Sequence, residues 1–339
     1  MAQQIIDIHT HCSIPDRSDP LGVAQFMRGT QVGRNSFNAF RGLPSISYYE
    51  LTDFDLQQEV SHKAGINYRL MSNPFGAEVL VALSKKPAGD VIKHNNDQIV
   101  ALVERSKGTT WGLGVANPLD ASLIKDYERV ATQPGFKGLL INSSWQGKFM
   151  DTEDAYPFWE WAEDKQVPLF LHPVRVPIGA DRQMDQYKLD ELVGRPFDTT
   201  MCLARMILSG LFDRFPRLKI VVAHMGGGLL PVMGRLNFGW RLGSEGMPER
   251  AQIKCKRLPS DYLRANLRVD IMGLWGPHVK EAVEVFGADR VMFGTDYGPV
   301  PIDPKEHIDL VEALDITPAE KEMIYWKNAN DFFNLGLSA

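Results

Sequence analysis

Few of the features that mark specialised protein classes occur in this chain. Cysteine is scarce: Cys12, Cys202 and Cys255 lie far apart without CxxC spacing. That excludes a disulfide framework and a zinc ribbon, and leaves buried free thiols as the expectation. No run of about 18 apolar residues is found, and Met1 to Ile8 is too short and polar for a secretory signal, so neither a membrane span nor export is expected. Basic residues form no stripe, and 37 Lys and Arg against 42 Asp and Glu give a net charge of -5, without the footprint of a nucleic-acid or anionic-membrane binder. Internal repeats and low-complexity tracts are missing too. What remains is a cytoplasmic protein whose partner is a small molecule.

The hydrophobic content of 44% and charged content of 23% are those of an ordinary globular protein. A β/α barrel reaches 339 residues as one domain, so residues 1–339 are read as a single unit. Short apolar runs bounded by turn residues predict eight strands: Ile5 to Ile8, Tyr68 to Met71, Thr110 to Val115, Phe136 to Ile141, Pro168 to Leu171, Ile220 to Ala223, Leu267 to Ile271 and Val291 to Phe293. Helical spacing fills Asp90 to Lys107, Leu123 to Thr132, Ala155 to Asp164, Thr199 to Phe212, Val279 to Phe286 and Pro304 to Leu314. Strand and helix alternate, and near-continuous apolar strands suit a parallel sheet covered on both faces. The fold expected is an eight-stranded (β/α)8 TIM barrel, with a doubly wound open sheet as the structural alternative. Pro15 to Asp53 breaks the alternation and is read as a lid or small subdomain inserted after the first strand.

Five ionisable groups stand where candidate strands end: His9 and His11, His172, His224 and Asp296. In a barrel all such ends open onto one face. Side chains alternate along a strand, so His9 and His11 share a side and can grip one ion together. With His172 and Asp296 they supply three imidazole nitrogens and one carboxylate, a donor set suited to one divalent metal ion, Zn2+ first, with Mn2+ or Fe2+ as alternatives. Asp7, one step deeper on the same side, is read as a support rather than a ligand. His224, followed by Met225-Gly226-Gly227-Gly228, is assigned acid/base work, since imidazole titrates near neutral pH. Arg69 and Arg235 are candidates to fork onto a substrate carboxylate, and Tyr187 is a further candidate for holding substrate.

The segments Asp7-Ile8-His9-Thr10-His11, Leu171-His172-Pro173, Ala223-His224-Met225-Gly226-Gly227-Gly228 and Asp289-Arg290-Val291-Met292-Phe293-Gly294-Thr295-Asp296-Tyr297 together resemble the amidohydrolase superfamily. The likeness is to the branch containing aminocarboxymuconate-semialdehyde decarboxylase and γ-resorcylate decarboxylase, and Ser209 to Leu218 is a phrase of the same branch. The resemblance implies that the two strand-one histidines, His172 and Asp296 bind metal and that His224 acts on the proton. It also implies that Arg235 reaches into the site of a neighbouring subunit, in a homodimer or larger oligomer. The lysine that bridges two metals in dinuclear relatives has no counterpart at the end of strand four, Leu139-Leu140-Ile141-Asn142, which points to one metal. The branch's tryptophan is missing from Gln186 to Leu189, and only Arg41 stands near the place of its first-loop arginine.

The activity expected is non-oxidative decarboxylation of an aromatic or unsaturated carboxylic acid of aromatic catabolism. Hydrolysis of a carbon-carbon bond in a ring-cleavage product is the close alternative, and a non-catalytic metal-binding subunit is the alternative of another class.

Overall fold

A computed structural model describes residues 4–12, 53–73, 81, 86–174, 184, 186–300 and 302–338. Eight parallel strands run in sequential order, β1 (Ile6–His11), β2 (Tyr68–Ser72), β3 (Thr110–Ala116), β4 (Phe136–Asn142), β5 (Pro168–His172), β6 (Lys219–Val222), β7 (Leu267–Asp270) and β8 (Val291–Met292). The barrel closes between its first strand and the residues following its last: Ile8 N–H donates to the Phe293 carbonyl at 3.0 Å, Asp296 N–H to His9 at 2.7 Å, and His11 N–H to Tyr297 at 3.0 Å. Eight strands give a lumen that side chains fill. The expected TIM barrel is the observed one.

Burial explains why these runs become strands. Ile220, Val221 and Val222 of β6 are fully buried, as are Leu139 and Ile141 of β4 and Leu169 and Leu171 of β5. Each such side chain contributes roughly 1.5–3 kcal/mol over its exposed state. Between the strands lie α1 (Phe54–Lys63), α2 (Ala88–Arg105), α3 (Ile124–Ala131), α4 (Tyr156–Asp164), α5 (Arg195–Leu208), α6 (Leu211–Arg214), α7 (Leu229–Leu242), α8 (Asp261–Asn266), α9 (Gly276–Phe286) and α10 (Pro304–Glu312). The chain ends in α11 (Pro318–Glu322) and α12 (Asn328–Phe333). Phe332 of α12 lies under Lys219 and Arg268, at the starts of β6 and β7, so this last helix covers the end of the barrel opposite the ligand-bearing one.

Two local outcomes differ from the expectation. The helix read over Thr199 to Phe212 is two, α5 and α6, because Gly210 enters the left-handed region at φ 78° and resets the axis. Strand β1 runs on to His11, since pairing with β2 and with the segment after β8 continues through its polar end. In helix α1, Asp53 starts the first turn by accepting the Leu56 N–H, and Phe54, Gln57 and Ser61 form the buried face. The segment read as a lid, Pro15 to Asp53, lies outside the described residues except for Asp53.

Candidate metal centre

Strand ends place the candidate ligands around one point. His9 and His11 come from β1 and His172 closes β5, while Asp296 follows β8. His9 Nε2 and His11 Nε2 are 3.1 Å apart, and His11 Nε2 and His172 Nε2 3.2 Å. Asp296 Oδ1 lies 3.3 Å from His9 Nε2 and 3.2 Å from His11 Nε2. One donor atom from each of the four residues falls within 4.8 Å of the others, and all four residues are buried.

These spacings test whether a cation fits. Bonds of about 2.0–2.1 Å to a tetrahedral ion separate neighbouring donors by roughly 3.3 Å, close to what is observed. Asp296 Oδ1 is shut off from solvent without a hydrogen-bond partner. Acceptor atoms crowded together in this way repel one another until a positive ion sits among them. The residues therefore fit a divalent metal.

Electrostatics prepare the same set. Burial, reinforced by the neighbouring histidines and by Arg195, holds His172 well below the usual imidazole range; burial is the first cause lowering His11 as well. Both keep free lone pairs. Burial would raise Asp296, but the His9 charge and the close imidazoles of His11, His224 and His9 take it well below the carboxylate range, so it stays anionic. His9 differs: burial lowers it, yet Asp296 and Asp270 outweigh that and carry it to about 10.

The supports are partly residues that sequence reasoning passed over. Asp270, the last residue of β7, lies 2.6 Å from His9 Nδ1 and also accepts the Met225 and Met272 N–H groups at 3.3 and 3.1 Å. It holds the Nδ1 proton of His9 and turns Nε2 toward the centre. Its signal was available, since it is a carboxylate at a strand end, the same criterion that picks out His172. Ser72, ending β2, pairs with His11 Nδ1 at 2.8 Å. Asp7 accepts from His9 N–H and from Thr295 N–H and Oγ1, and so ties β1 to the turn that carries Asp296.

That turn and the one after β6 are strained. His224, Met225 and Asp296 take φ of 55°, 54° and 57°, a region that costs a non-glycine residue about 1–3 kcal/mol. Hydrogen bonds from Asp296 N–H to His9 and from Met225 N–H to Asp270 hold the backbone there. Gly294 must be glycine: a Cβ would lie 2.9 Å from His9 Cβ and 3.1 Å from Asp270 Cβ. Strain at the ends of two strands aims His224 and Asp296 inward.

His224 Nε2 stands 3.3 Å from Asp296 Oδ2, and its side chain is 19% exposed where those of His9 and His11 are 0% and 1%. It is the most solvent-accessible of these imidazoles. The other candidates are not brought there within this chain. Arg69 is buried, but its guanidinium lies 5.1 Å over the Phe54 ring and reaches Gln57, both on α1, in the layer between barrel and helix. Tyr187 is 82% exposed in a turn before α5, and Arg235 lies exposed on α7. Lys137 donates to the Asn334 carbonyl beside α12, at the opposite end of the barrel, so it bridges nothing here. Arg41 lies outside the described residues.

Comparison with known proteins follows the geometry. The family model described as amidohydrolase matches residues 75–335. A 2-amino-3-carboxymuconate-6-semialdehyde decarboxylase of Dictyostelium discoideum is 28% identical over 86% of this chain and 77% of its own. A γ-resorcylate decarboxylase of a Polaromonas species is 28% identical over 83% and 87%. The crystal structure of 5-carboxyvanillate decarboxylase from Novosphingobium aromaticivorans, complexed with manganese and 4-hydroxy-3-methoxy-5-nitrobenzoic acid, superposes with a TM-score of 0.83 at 25% identity, covering 97% of this chain and 96% of that one.

Proposed function

We propose, for a chain that belongs to the amidohydrolase family, metal-dependent non-oxidative decarboxylation of an aromatic or unsaturated carboxylic acid. One observation carries the reading: three buried imidazoles and a buried carboxylate converge at about ligand spacing, with a fourth, partly exposed imidazole beside them. His9, His11, His172 and Asp296 would hold a single divalent ion; Zn2+ and Mn2+ both suit nitrogen and oxygen donors, as does Fe2+. When bound, such an ion supplies Lewis-acid charge for a substrate carboxylate or a neighbouring oxygen.

The chain's own residues do the rest. Loss of CO2 breaks the bond between the carboxyl carbon and the substrate carbon, and a proton must take the vacated position. His224 would deliver it, because its Nε2 lies 3.3 Å from Asp296 Oδ2 and its side chain, 19% exposed, can exchange protons with solvent. Asp296 orients His224 through its second oxygen while its first faces the centre.

Oligomer formation belongs to the same reading. Arg235, Phe238 and Leu242 lie three and seven residues apart on one face of α7, with Phe238 54% and Leu242 69% exposed. Phe197 and Met201 on the adjacent α5 are exposed as well. An apolar patch of this kind suits a second copy, and Arg235 at its edge would enter the partner's site, as the family resemblance implies. Residues 1–339 are taken as one domain with 15–53 as a lid, and the cytoplasm as its location, in keeping with three free, buried cysteines. Among the described residues no helix is long and apolar enough to cross a membrane.

The test is elemental analysis followed, on the same sample, by an assay for CO2 release from γ-resorcylate, 5-carboxyvanillate and ring-cleavage acids. About one metal per chain with CO2 evolved is the expected result. Metal with carbon-carbon cleavage but no CO2 would move the assignment to a hydrolase, and failure to take up zinc or manganese would overturn it.

A further inference from the structure

Of the three histidines at the centre, His172 is held differently from the other two. The second ring nitrogen of His9 is taken by Asp270, and that of His11 by Ser72. Among the described residues, no group hydrogen-bonds Nδ1 of His172, whose Nε2 lies 3.2 Å from His11 Nε2. With no partner to turn the ring from behind, the direction of Nε2 depends on where the backbone around residue 172 is fixed.

One residue brackets that backbone. Ser143, just past β4 and fully buried, donates its N–H to the His172 carbonyl at 2.8 Å and accepts the Val174 N–H on its Oγ at 3.0 Å. Pro173 lies between and has no N–H to offer, so Val174 carries the first backbone donor after the ligand. A buried hydroxyl keeps its lone pairs on such an amide where its own proton has a fixed acceptor. Asp198 Oδ2 is that acceptor, at 2.6 Å, the length of a hydroxyl bond to a carboxylate. Asp198 is 3% exposed and stands in the first turn of α5. The same helix has a separate anchor: Thr200 Oγ1 donates to the Pro196 carbonyl at 2.8 Å and accepts the Gly228 N–H at 2.7 Å, after the turn that carries His224.

A line of bonds thus runs from a buried carboxylate on α5, through one hydroxyl, to the backbone on both sides of a metal ligand. Without its acceptor the hydroxyl is free to rotate, and the Val174 N–H loses a fixed partner inside the protein. Metal bonds hold their length to within about 0.2 Å, so a small shift of this backbone is felt at the ion. We propose that Asp198 is a positioning residue for the metal centre: acting through Ser143, it fixes the backbone around His172 and so aims that imidazole at the ion. The assignment rests on the reading of His172 as a metal ligand. Neither Asp198 nor Ser143 is itself a donor in the centre, so their effect is on how tightly the metal is held.

Zinc affinity, measured by competition with a chromophoric chelator, separates aiming from mere support when denaturant unfolding of the metal-free protein is followed alongside. Ser143→Ala removes the hydroxyl but keeps the backbone bond to His172, and should bind zinc roughly 10–100-fold more weakly than wild type, the range for outer partners of metal-bound histidines. Asp198→Asn keeps the shape and an acceptor oxygen but not the charge, and should fall between the two. Thr200→Val removes two hydrogen bonds from the same helix on its Gly228 side; it should destabilise the metal-free protein yet leave zinc affinity within about twofold of wild type. Unchanged affinity in Ser143→Ala, or an equal fall in Thr200→Val, overturns the assignment while leaving the metal-dependent reading intact. A wild type that takes up neither zinc nor manganese overturns both. If Ser143→Ala does not fold, Asp198→Asn decides: a fall of about threefold or more, with Thr200→Val unchanged, supports the assignment, and an unchanged affinity refutes it.

Discussion

Asp270→Asn exchanges one oxygen for an NH2 group beneath His9, and the surroundings set what that does. Both side chains are 0% exposed, and the bond between them is 2.6 Å. Asp270 also accepts from two backbone N–H groups, Met225 and Met272. Asparagine cannot meet all three donors. With its oxygen toward His9, its NH2 faces the amides; with its oxygen toward the amides, its NH2 faces Nδ1 and drives the ring proton to Nε2, where it blocks metal ligation. Losing one charge-assisted bond is worth about 1.5–3 kcal/mol, which at 1.4 kcal/mol per decade is roughly 10–100-fold in metal affinity. Outer partners of metal-binding histidines generally have effects of that size. Competition with a chromophoric chelator measures it, with circular dichroism to verify the fold. Asp97→Asn, which removes only an exposed ion pair with Lys93 on α2, is the control and should leave affinity unchanged. An Asp270→Asn protein that keeps its fold and binds metal within twofold of wild type would refute the idea that Asp270 sets the His9 tautomer.

Two further outcomes follow from the same geometry. His172→Ala and Asp296→Ala should lose metal and turnover together, whereas His224→Ala should retain most of its metal and lose roughly 10²–10⁴ in rate; equal metal loss in all three, read by elemental analysis, would remove His224 from its acid/base role. Gly294→Ala should push His9 and Asp270 apart, lowering metal retention after dialysis and destabilising the fold by about 1–3 kcal/mol in denaturant unfolding; a protein unaltered in both would show that the turn before Asp296 yields without disturbing its neighbours.

Much of the barrel was legible in the chain because its information is local. Apolar runs such as Ile220-Val221-Val222 specify strands buried on both faces, and the alternation of side chains put His9 and His11 on one side before any partner was known. A parallel barrel presents all strand ends on one face, so marking the ionisable residues at those ends was enough to gather His9, His11, His172, Asp296 and His224. The one-metal expectation came instead from the family resemblance, through the missing counterpart of the bridging lysine at the end of β4.

Direction and long-range pairing were decided only in three dimensions. When both faces of a strand are apolar, nothing in β2 says whether Arg69 points into the lumen or out toward α1, and it points out, over Phe54. Asp270 looks like any strand-end carboxylate until the barrel brings it against His9, a residue 261 positions away. Asp198 stands in the first turn of a helix, and a helix start carries no sign of which strand ends it will rest on; the contacts of Asp198 with Ser143 and of Thr200 with Gly228 set that position. Periodicity along a chain encodes which residues share a face, but which faces meet depends on closing the ring, where packing and hydrogen bonds between distant segments choose the partners.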